Sequence, residues 1–310
     1  MSSKYQLRFT DGWVSSHHVA RKMREMGEAH HENVEEIDIT LGRGCGVLVD
    51  AGILLLSLVN QLAHTGRKVT LRFEDGHIGA MGYLDRLAFF ELLHPTVKTI
   101  PHRPSTSASE TYAGTNPNLV EFQRICPQNR DKTTPTLLAD ALENACKNRS
   151  DCQTLGHAAY TVFGELIDNI YEHSETQVDG YAALQVYRGG NNVLVAVSDS
   201  GKGLLETLRP SLVDSPHADL SDTDLIVRML NDGLSRLEKE HPERGAGLCQ
   251  SAGHALKYRA ELMLRLSTSS LRIVPDKYSP QVYDGTAFCD NQLPFIQGTH
   301  FAFRFQLSTA

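Results

Sequence analysis

Residues 152–175 read CQTLGHAAYTVFGELIDNIYEHSE, and this stretch decides the fold of the second half of the chain. Apolar side chains recur three and four residues apart at Leu155, Ala159, Val162 and Leu166. That spacing is typical of a helix that buries one face. The pattern predicts one long helix, packed against a sheet formed by the strands that follow it.

A polar stripe runs along the same predicted helix. Glu165, Asn169 and His173 are spaced four residues apart and therefore project from one face. The amide oxygen of Asn169 suits Mg²⁺, which takes oxygen ligands from a few protein groups and from nucleotide phosphates. Glu165 could then orient and deprotonate a water that attacks a terminal phosphate. Taken alone, the stripe is better explained as a solvated helix face.

The motif DSGKG, residues 199–203, directly follows the predicted strand VLVAVS. The carboxylate of Asp199 can accept a hydrogen bond from the exocyclic amine of adenine, and Gly201 and Gly203 let the main chain turn sharply and approach a flat base. Because Lys202 is followed by glycine, the motif is not a Walker P-loop. An ordinary turn at the end of a strand is the alternative.

The motif RGAGL opens a further predicted helix. Gly245 and Gly247 let main-chain amides face an anion at a helix N-terminus, Arg244 adds a charge, and Leu248 continues the helix. The arrangement predicts a phosphate-binding segment. A flexible loop explains the glycines equally well.

The motif GTHF, residues 298–301, enters the last predicted strand. The hydroxyl of Thr299 could hold a water or help to fix adenine. By itself this motif carries almost no information, so its weight comes from its place after the other three.

The four motifs in this order resemble the GHKL superfamily, which comprises gyrase, Hsp-type chaperones, histidine kinases and MutL. The resemblance covers roughly residues 119–310. It implies a Bergerat fold, an α/β sandwich with helices on one face of a mixed sheet, and the cofactors ATP and Mg²⁺. It further implies that Glu165 is the general base, Asn169 the magnesium ligand and Asp199 the adenine-reading carboxylate.

The same resemblance assigns the glycines and the late threonine. Gly201 and Gly203 match the first glycine box, Gly245 and Gly247 match the phosphate box, and Thr299 matches the threonine beside adenine. The segment between the two boxes would be a mobile lid over the phosphates. The predicted ATP-binding set is completed by the neighbouring residues His173, Lys202, Arg244 and Leu248.

The first half of the chain alternates strand and helix patterns, which implies an α/β layer. EEIDITL, GVLVD and KVTLRF are predicted strands, and AGILLLSLVNQLAHTG and GYLDRLAFFELL are predicted helices. From about residue 35 to residue 93 this order resembles a STAS domain. Anti-anti-sigma factors carry a phosphorylatable Ser or Thr at the strand–helix junction, where this chain has Asp50 followed by Ala51 and Gly52. The resemblance therefore implies docking or dimerisation rather than a phosphorylation switch.

A segment rich in Ser, Thr and Pro, HRPSTSASETYAGTNPN, separates the two halves. It predicts a STAS-like domain at 1–101, a linker at 102–118 and an ATP-binding domain at 119–310. Within the last domain LVEFQRI and TPTLLADALENACKN are predicted helices. YAALQVYR, NVLVAVSD, ELMLRLS, SLRIVPD and THFAFRF are predicted strands.

Composition narrows the class of protein. A formal net charge of -7 gives no footprint for nonspecific nucleic-acid binding. The longest apolar stretch, residues 47–59, is interrupted by Asp50 and Ser57 and falls short of the roughly 20 residues of a membrane span. The N-terminus lacks the apolar run of a secretion signal. The expectation is a cytoplasmic protein without a membrane segment.

Three functions remain open. The first is Mg²⁺-dependent ATP hydrolysis at Glu165 that controls association with a protein partner. The second is a serine/threonine kinase, reminiscent of bacterial anti-sigma kinases that bind a STAS partner, acting on another chain. The third is a nucleotide-gated binding module with little or no turnover. The partner is left open by the sequence, and a homodimer is expected by analogy only.

Overall fold

The computed structural model describes residues 3–10, 12–173, 176–213, 217–231, 253, 255–276, 281–284 and 293–308. Its fold is mixed α/β, with one parallel and one antiparallel main sheet. The strands are β1 Ser3–Phe9, β2 Gly12–Val14, β3 Val34–Leu41, β4 Cys45–Val47, β5 Lys68–Phe73, β6 Lys98–Ile100, β7 Leu119–Ile125, β8 Gly180–Tyr187, β9 Asn192–Ser198, β10 Glu261–Arg265, β11 Ser270–Val274, β12 Gln281–Asp284 and β13 His300–Gln306.

The helices are α1 Ser16–Met26, α2 Val49–His64, α3 Ala80–Arg86, α4 Phe89–Leu92, α5 Ala108–Tyr112, α6 Thr133–Ala145, α7 Cys152–His173, α8 Leu204–Leu208 and α9 Asp222–Asn231. Short 3-10 helices lie at Arg188–Gly190 and Arg209–Leu212. No helix in the described part of the chain has both the length and the apolar character needed to cross a membrane.

The first sheet has the strand order β1-β3-β5-β6, and all its neighbours pair in parallel. Parallel neighbours need long crossover connections, which α1, α2 and the α3–α4 region provide. The inward side chains of β3, Ile37, Ile39 and Leu41, are buried. A separate parallel pair, β2 with β4, lies beside this sheet.

Helix α2 is the structural link between the two halves. Every residue from Val49 to Ala63 is buried, as expected for a helix that packs on all sides. It contacts β5 of the first sheet and β8 and β9 of the second. The small residues Ala183, Ala196 and Ala302 of the second sheet belong to the same core as α2, so the two halves share one apolar core.

The second sheet has the strand order β12-β11-β10-β13-β9-β8-β7. Each pairing of its described strands is antiparallel. The prediction of a mixed sheet was therefore wrong for these strands, because neighbours such as β8–β9 and β10–β11 are joined by short hairpins. One face packs on α2, and the other carries α6 and α7 over a core that includes Phe163 and Phe303.

Two predicted helices differ in the structure. LVEFQRI forms strand β7, in which Leu119 and Phe122 face the core shared with α2 while Val120 and Ile125 face the core under α6 and α7. A bulge between Val120 and Gln123 breaks the two-residue alternation and produces the three-residue spacing that is typical of a helix. GYLDRLAFFELL forms α3 and α4, which are separated by Ala88 in a left-handed conformation with φ of 65°.

Segment 102–118, predicted as a linker, contains α5 and packs on the first half. The guanidinium group of Arg103 donates to main-chain carbonyls of Phe90, Leu93, His94 and Val97. These bonds hold the start of the segment against the region around α4 and β6.

Candidate functional site

The structure joins the second and fourth motifs. Strands β9 and β13 are antiparallel neighbours, with Ser198 opposite His300. Just beyond this pair, Asp199 N donates to Thr299 O at 2.9 Å. Thr299 Oγ1 also accepts from Leu204 N at 2.8 Å, at the start of α8. The loop 199–203 and Thr299, a hundred residues apart in sequence, therefore form one local structure.

Two glycines allow this close approach. Gly298 has φ of +92°, and a Cβ there would overlap the carbonyl oxygen of Asp199. Gly203 has φ of +80°, and a Cβ there would lie 3.1 Å from the carbonyl oxygen of Gly298. Left-handed backbone and main-chain contact both exclude larger residues. These contacts explain why residue 203 of the predicted site is a glycine. Gly298 is the first residue of the GTHF motif and was therefore already included in the sequence prediction.

The carboxyl group of Asp199 is half-buried at this junction. Its Oδ1 accepts from Gly201 N at 2.8 Å, which closes a turn over the motif. Burial raises the pKa of Asp199 from 3.8 to about 6, and hydrogen bonds from the main chain of Gly201 and Ser200 act in the opposite direction. At neutral pH the group is a carboxylate that can accept a hydrogen bond.

The first motif lies on α7. Glu165 and Asn169 are half-buried one helical turn apart, Asp168 beside them is exposed, and His173 is the last residue of the helix. Among the described residues, no group of three or more His, Cys, Asp or Glu side chains could hold a metal ion. A metal held by one amide oxygen and by phosphates would not form such a group.

Helix α7 lies close to strands β8 and β9 at Gly180, the first residue of β8. A Cβ on Gly180 would lie 2.9 Å from Ile170 Cδ1 and 2.9 Å from the carbonyl oxygen of Ser198. Ile170 directly follows Asn169, and Ser198 directly precedes Asp199. The absence of a side chain at residue 180 thus lets the helix that carries the first motif approach the strand that carries the second.

The described residues after Gly203 pack on the core under α6 and α7. Arg209 donates to Ala218 O at 3.3 Å, to Leu220 O at 2.9 Å and to Asp222 Oδ1 at 2.5 Å, which fixes the connection from α8 to α9. The core under α6 and α7 includes the buried side chains of Leu208, Leu212, Leu225 and Ile226. The residues of the third motif, Arg244, Gly245, Gly247 and Leu248, lie outside the described residues.

Sequence reasoning missed the polar residues of α2 that support this junction. Ser57 Oγ lies 2.6 Å from Ser198 Oγ, and Gln61 Nε2 donates to Ser200 Oγ at 3.1 Å. These bonds hold the residues on both sides of Asp199. The sequence did contain an indication of this contact, because Ser57, Asn60 and Gln61 share one face of an otherwise apolar helix.

Asn60 and Gln61 extend the same contact across the sheet. Asn60 Nδ2 donates to Tyr181 OH at 2.7 Å, and Gln61 Nε2 donates to Gln297 O at 2.9 Å. All these groups are buried or nearly so, where hydrogen bonds are expected to be satisfied. The first half of the chain therefore positions both loops of the candidate site.

Comparisons of the chain with protein-family models, with curated proteins and with solved structures gave no match.

Proposed function

We propose that residues 119–310 form a GHKL-type, Bergerat-fold domain that binds ATP with Mg²⁺ and hydrolyses it. The observation that carries the proposal is the junction in which Thr299 accepts from Leu204 N and its carbonyl accepts from Asp199 N. Two motifs far apart in sequence meet there at a half-buried carboxylate. The seven-stranded sheet, with α6 and α7 on one face, supports the same fold.

Asp199 is the adenine reader in this proposal. Its carboxylate accepts from the exocyclic amine of adenine, while Gly201 and Gly203 let the main chain approach the base. Thr299 Oγ1 already accepts from Leu204 N, which leaves its own O–H free to donate to adenine or to a bridging water. Lys202 and His173 complete the proposed ATP-binding set, and Arg244, Gly245, Gly247 and Leu248 are proposed to bind the phosphates.

Helix α7 supplies the reaction chemistry. Asn169 provides an oxygen ligand to Mg²⁺, and Glu165, one turn away, accepts the proton of the attacking water. The water oxygen bonds to the terminal phosphorus as the bond to the ADP oxygen breaks, so the products are ADP and phosphate. The half-buried position of both side chains is compatible with these roles.

A second candidate is a nucleotide-gated module with little turnover. The observation that favours it is the contact of Ser57 and Gln61 with Ser198 and Ser200, which flank Asp199. A change in the Asp199 loop on nucleotide binding would be transmitted to α2 through these bonds. The first half, proposed as a STAS-like domain on its parallel sheet and α2, would then couple nucleotide state to a cytoplasmic protein partner.

The test is phosphate release from Mg²⁺-ATP by the wild-type chain, by Glu165→Gln and by a control, Glu172→Gln, whose side chain is exposed on the same helix. ATP binding is measured on each by calorimetry. Hydrolysis is supported if release stops in Glu165→Gln while binding persists and Glu172→Gln behaves as wild type. Binding without release in the wild type would favour the gated module or a kinase that needs its substrate, and no binding would overturn the proposal.

A further inference from the structure

A cavity of about 570 Å³ lies between α1 and α2 on one side and strands β10, β11 and β13 on the other. We name it the α1–α2 cavity. Its floor includes Ala196 and Ala302, which belong to the core on the α2 side of the sheet. Glu165 and Asn169 lie on α7, which packs on the opposite face. The volume falls within the range of about 300–1,000 Å³ typical of small-molecule sites.

The lining of this cavity is strongly basic. Among the described residues it contains five arginines, Arg21, Arg24, Arg265, Arg272 and Arg304, and two carboxylates, Asp50 and Glu261. With neutral histidines, these described lining residues carry a formal excess of three positive charges. The positive charges also act on His17, another lining residue. Burial lowers the pKa of His17 most, and the charges of His18, Arg21, Arg24 and Arg272 lower it further. Glu261 pairs with Arg272 at 2.5 Å and with Arg304 at 3.6 Å.

Arg265 differs from the others because its side chain is deeply buried. The residue is 5% exposed, and its guanidinium group donates to the main-chain carbonyls of Leu266, Ser269 and Pro294. Its Nε has no hydrogen-bond partner, and no carboxylate in the described part of the chain forms an ion pair with it. Burial lowers the pKa of Arg265 to about 10, with a partial offset from the charge of Glu28.

A buried guanidinium without a counter-charge is costly, because its solvation is lost and no anion replaces it. The main-chain carbonyls fix the orientation of Arg265 but supply only partial charges. An anion in the cavity would remove this cost. Main-chain carbonyls thus hold the buried guanidinium group of Arg265 in one orientation, unlike that of an exposed arginine.

Within the described part of the chain, two further buried polar atoms of the lining also have no hydrogen-bond partner. His300 Nδ1 lies 2.5 Å from Ser198 Oγ, while its Nε2 has no hydrogen bond. Asp50 Oδ2 accepts from Ser16 N at 2.9 Å and from Ser16 Oγ at 2.6 Å, while its Oδ1 has none. Buried polar groups are usually satisfied, so three side chains around one cavity, each with one atom that lacks a partner among the described residues, indicate groups that a ligand would complete.

Apolar side chains form the rest of the wall and limit what the ligand can be. The apolar lining on the α2 side of the sheet includes Ala20, Ile53, Leu54, Ala196, Met263 and Leu293. A bare inorganic anion would leave this surface uncovered. The lining instead fits a molecule with an apolar body and one anionic end.

We propose that the α1–α2 cavity binds a small organic anion, whose carboxylate or phosphate pairs with Arg265 and whose apolar body lies against this wall. A hydroxyl group on the ligand would donate to Asp50 Oδ1. None of the residues of the proposed ATP site lines the cavity in the described part of the chain, but His300 directly follows Thr299. The inference does not depend on ATP being bound. Because α1 and α2 form one wall, the ligand would be held between the two halves of the chain.

The test measures thermal unfolding and calorimetric binding with four probes: phenyl phosphate, benzoate, benzyl alcohol and inorganic phosphate. The wild-type chain is compared with Arg265→Lys, which keeps the charge, and Arg265→Met, which removes it. Arg124→Met is the control, since Arg124 is an exposed residue paired with Asp179 at 2.6 Å and does not line the cavity. We expect phenyl phosphate or benzoate to bind the wild type and to raise its Tm more than the other two probes.

Loss of the charge–charge hydrogen bond should weaken this binding at least about tenfold in Arg265→Met and less in Arg265→Lys, with no change in Arg124→Met. If Arg265→Met does not fold, Ala302→Leu fills the cavity floor without altering a charge and should abolish binding. The proposal is overturned if neither organic anion binds the wild type, or if inorganic phosphate binds as tightly as phenyl phosphate. The proposal is also overturned if Mg²⁺-ATP displaces the bound probe and the probe no longer binds to Asp199→Asn. If the protein binds phenyl phosphate but does not bind ATP, the result counts against the proposed ATPase alone.

Discussion

The side-chain amide of Gln61 pairs with the main chain of Gln297 in both directions. Gln61 Nε2 donates to Gln297 O at 2.9 Å, and Gln297 N donates to Gln61 Oε1 at 3.1 Å. Gln297 immediately precedes Gly298 and Thr299, so a helix of the first half holds the loop that approaches Asp199. A third bond, to Ser200 Oγ, ties the same amide to the opposite loop.

Replacement of Gln61 by Met should destabilise the protein and weaken adenine-nucleotide binding together. The substitution keeps the length of the side chain but leaves the buried groups of Ser200 and Gln297 without partners. Each unsatisfied buried group costs about 1–3 kcal/mol, so the free energy of unfolding in urea should fall by about 2 kcal/mol or more.

The matched control is Gln153→Met, at an exposed position of α7. Its unfolding free energy should stay within about 0.5 kcal/mol of wild type. An equal loss in the two variants would show that the three bonds of Gln61 contribute nothing specific.

Gly298→Ala should be among the most damaging small substitutions in the chain. Gly298 has a left-handed φ of +92°, and the added Cβ would overlap the Asp199 carbonyl. Backbone strain and overpacking act together, so a loss of about 3 kcal/mol or more in unfolding free energy is expected. Thermal unfolding measures this directly.

Gly164→Ala provides the contrast on α7. A Cβ at Gly164 meets no atom within 4 Å, and alanine is a better helix former than glycine by about 0.5–1 kcal/mol. We expect this variant to be slightly more stable than wild type. Comparable destabilisation of both variants would contradict the close contact at Gly298.

The long elements were predictable from sequence because their periodicity spans several turns. The long helix predicted from residue 152 onward corresponds to α7, and the helix predicted from residue 51 onward corresponds to α2. Strand β7 was not predictable, since its bulge places Leu119 and Phe122, three residues apart, toward the same core. The break at Ala88 carried no glycine or proline, and only the tertiary packing of α3 and α4 requires it.

The candidate site was partly predictable. The residue types and order of DSGKG and GTHF indicated the loops, but their contact depends on β9 and β13 being neighbours, which no local pattern encodes. The bonds of Ser57 and Gln61 to these loops were missed for the same reason. A polar stripe on an apolar helix indicates a polar partner, yet the partner lies more than a hundred residues away.

Adenine binding should depend on pH through Asp199. Its pKa is raised to about 6 by burial, and only the carboxylate form accepts from the adenine amine. Binding of adenosine, which has no phosphate that titrates in this range, should be nearly constant above about pH 7 and fall about tenfold per pH unit well below pH 6. Asp199→Asn should remove the pH dependence, and Asp168→Asn, at an exposed neighbour of Asn169, should keep it.

The same shift has an opposite consequence for stability. Because the folded-state pKa of Asp199 lies above its ordinary value of 3.8, ionisation of this group disfavours the folded state. Its contribution to stability is complete below about pH 4 and is lost as the pH rises through about 6. Urea unfolding of wild type and Asp199→Asn over this interval should show the decline only in wild type. A parallel pH dependence in both proteins would exclude Asp199 as its source.

Gly180→Ala should disturb catalysis more than adenine binding. The added Cβ would lie 2.9 Å from Ile170 Cδ1 and 2.9 Å from the Ser198 carbonyl oxygen, so we expect the part of α7 at Ile170 to move away from β8 and β9. This movement displaces Asn169, which precedes Ile170, relative to Asp199. Overpacking of this kind costs about 1–3 kcal/mol, and phosphate release from Mg²⁺-ATP should fall while adenosine affinity changes little.

A double-mutant cycle with Ile170→Val tests this cause. Valine lacks the Cδ1 that meets the new methyl group, so the double variant should regain part of the stability and part of the phosphate release lost in Gly180→Ala. The coupling between the two substitutions should be at least about 0.5 kcal/mol, as for residues in contact. Additive effects would show that Gly180 does not set the spacing between α7 and β9. Equal losses of adenosine binding and phosphate release would instead indicate a general disturbance of the sheet.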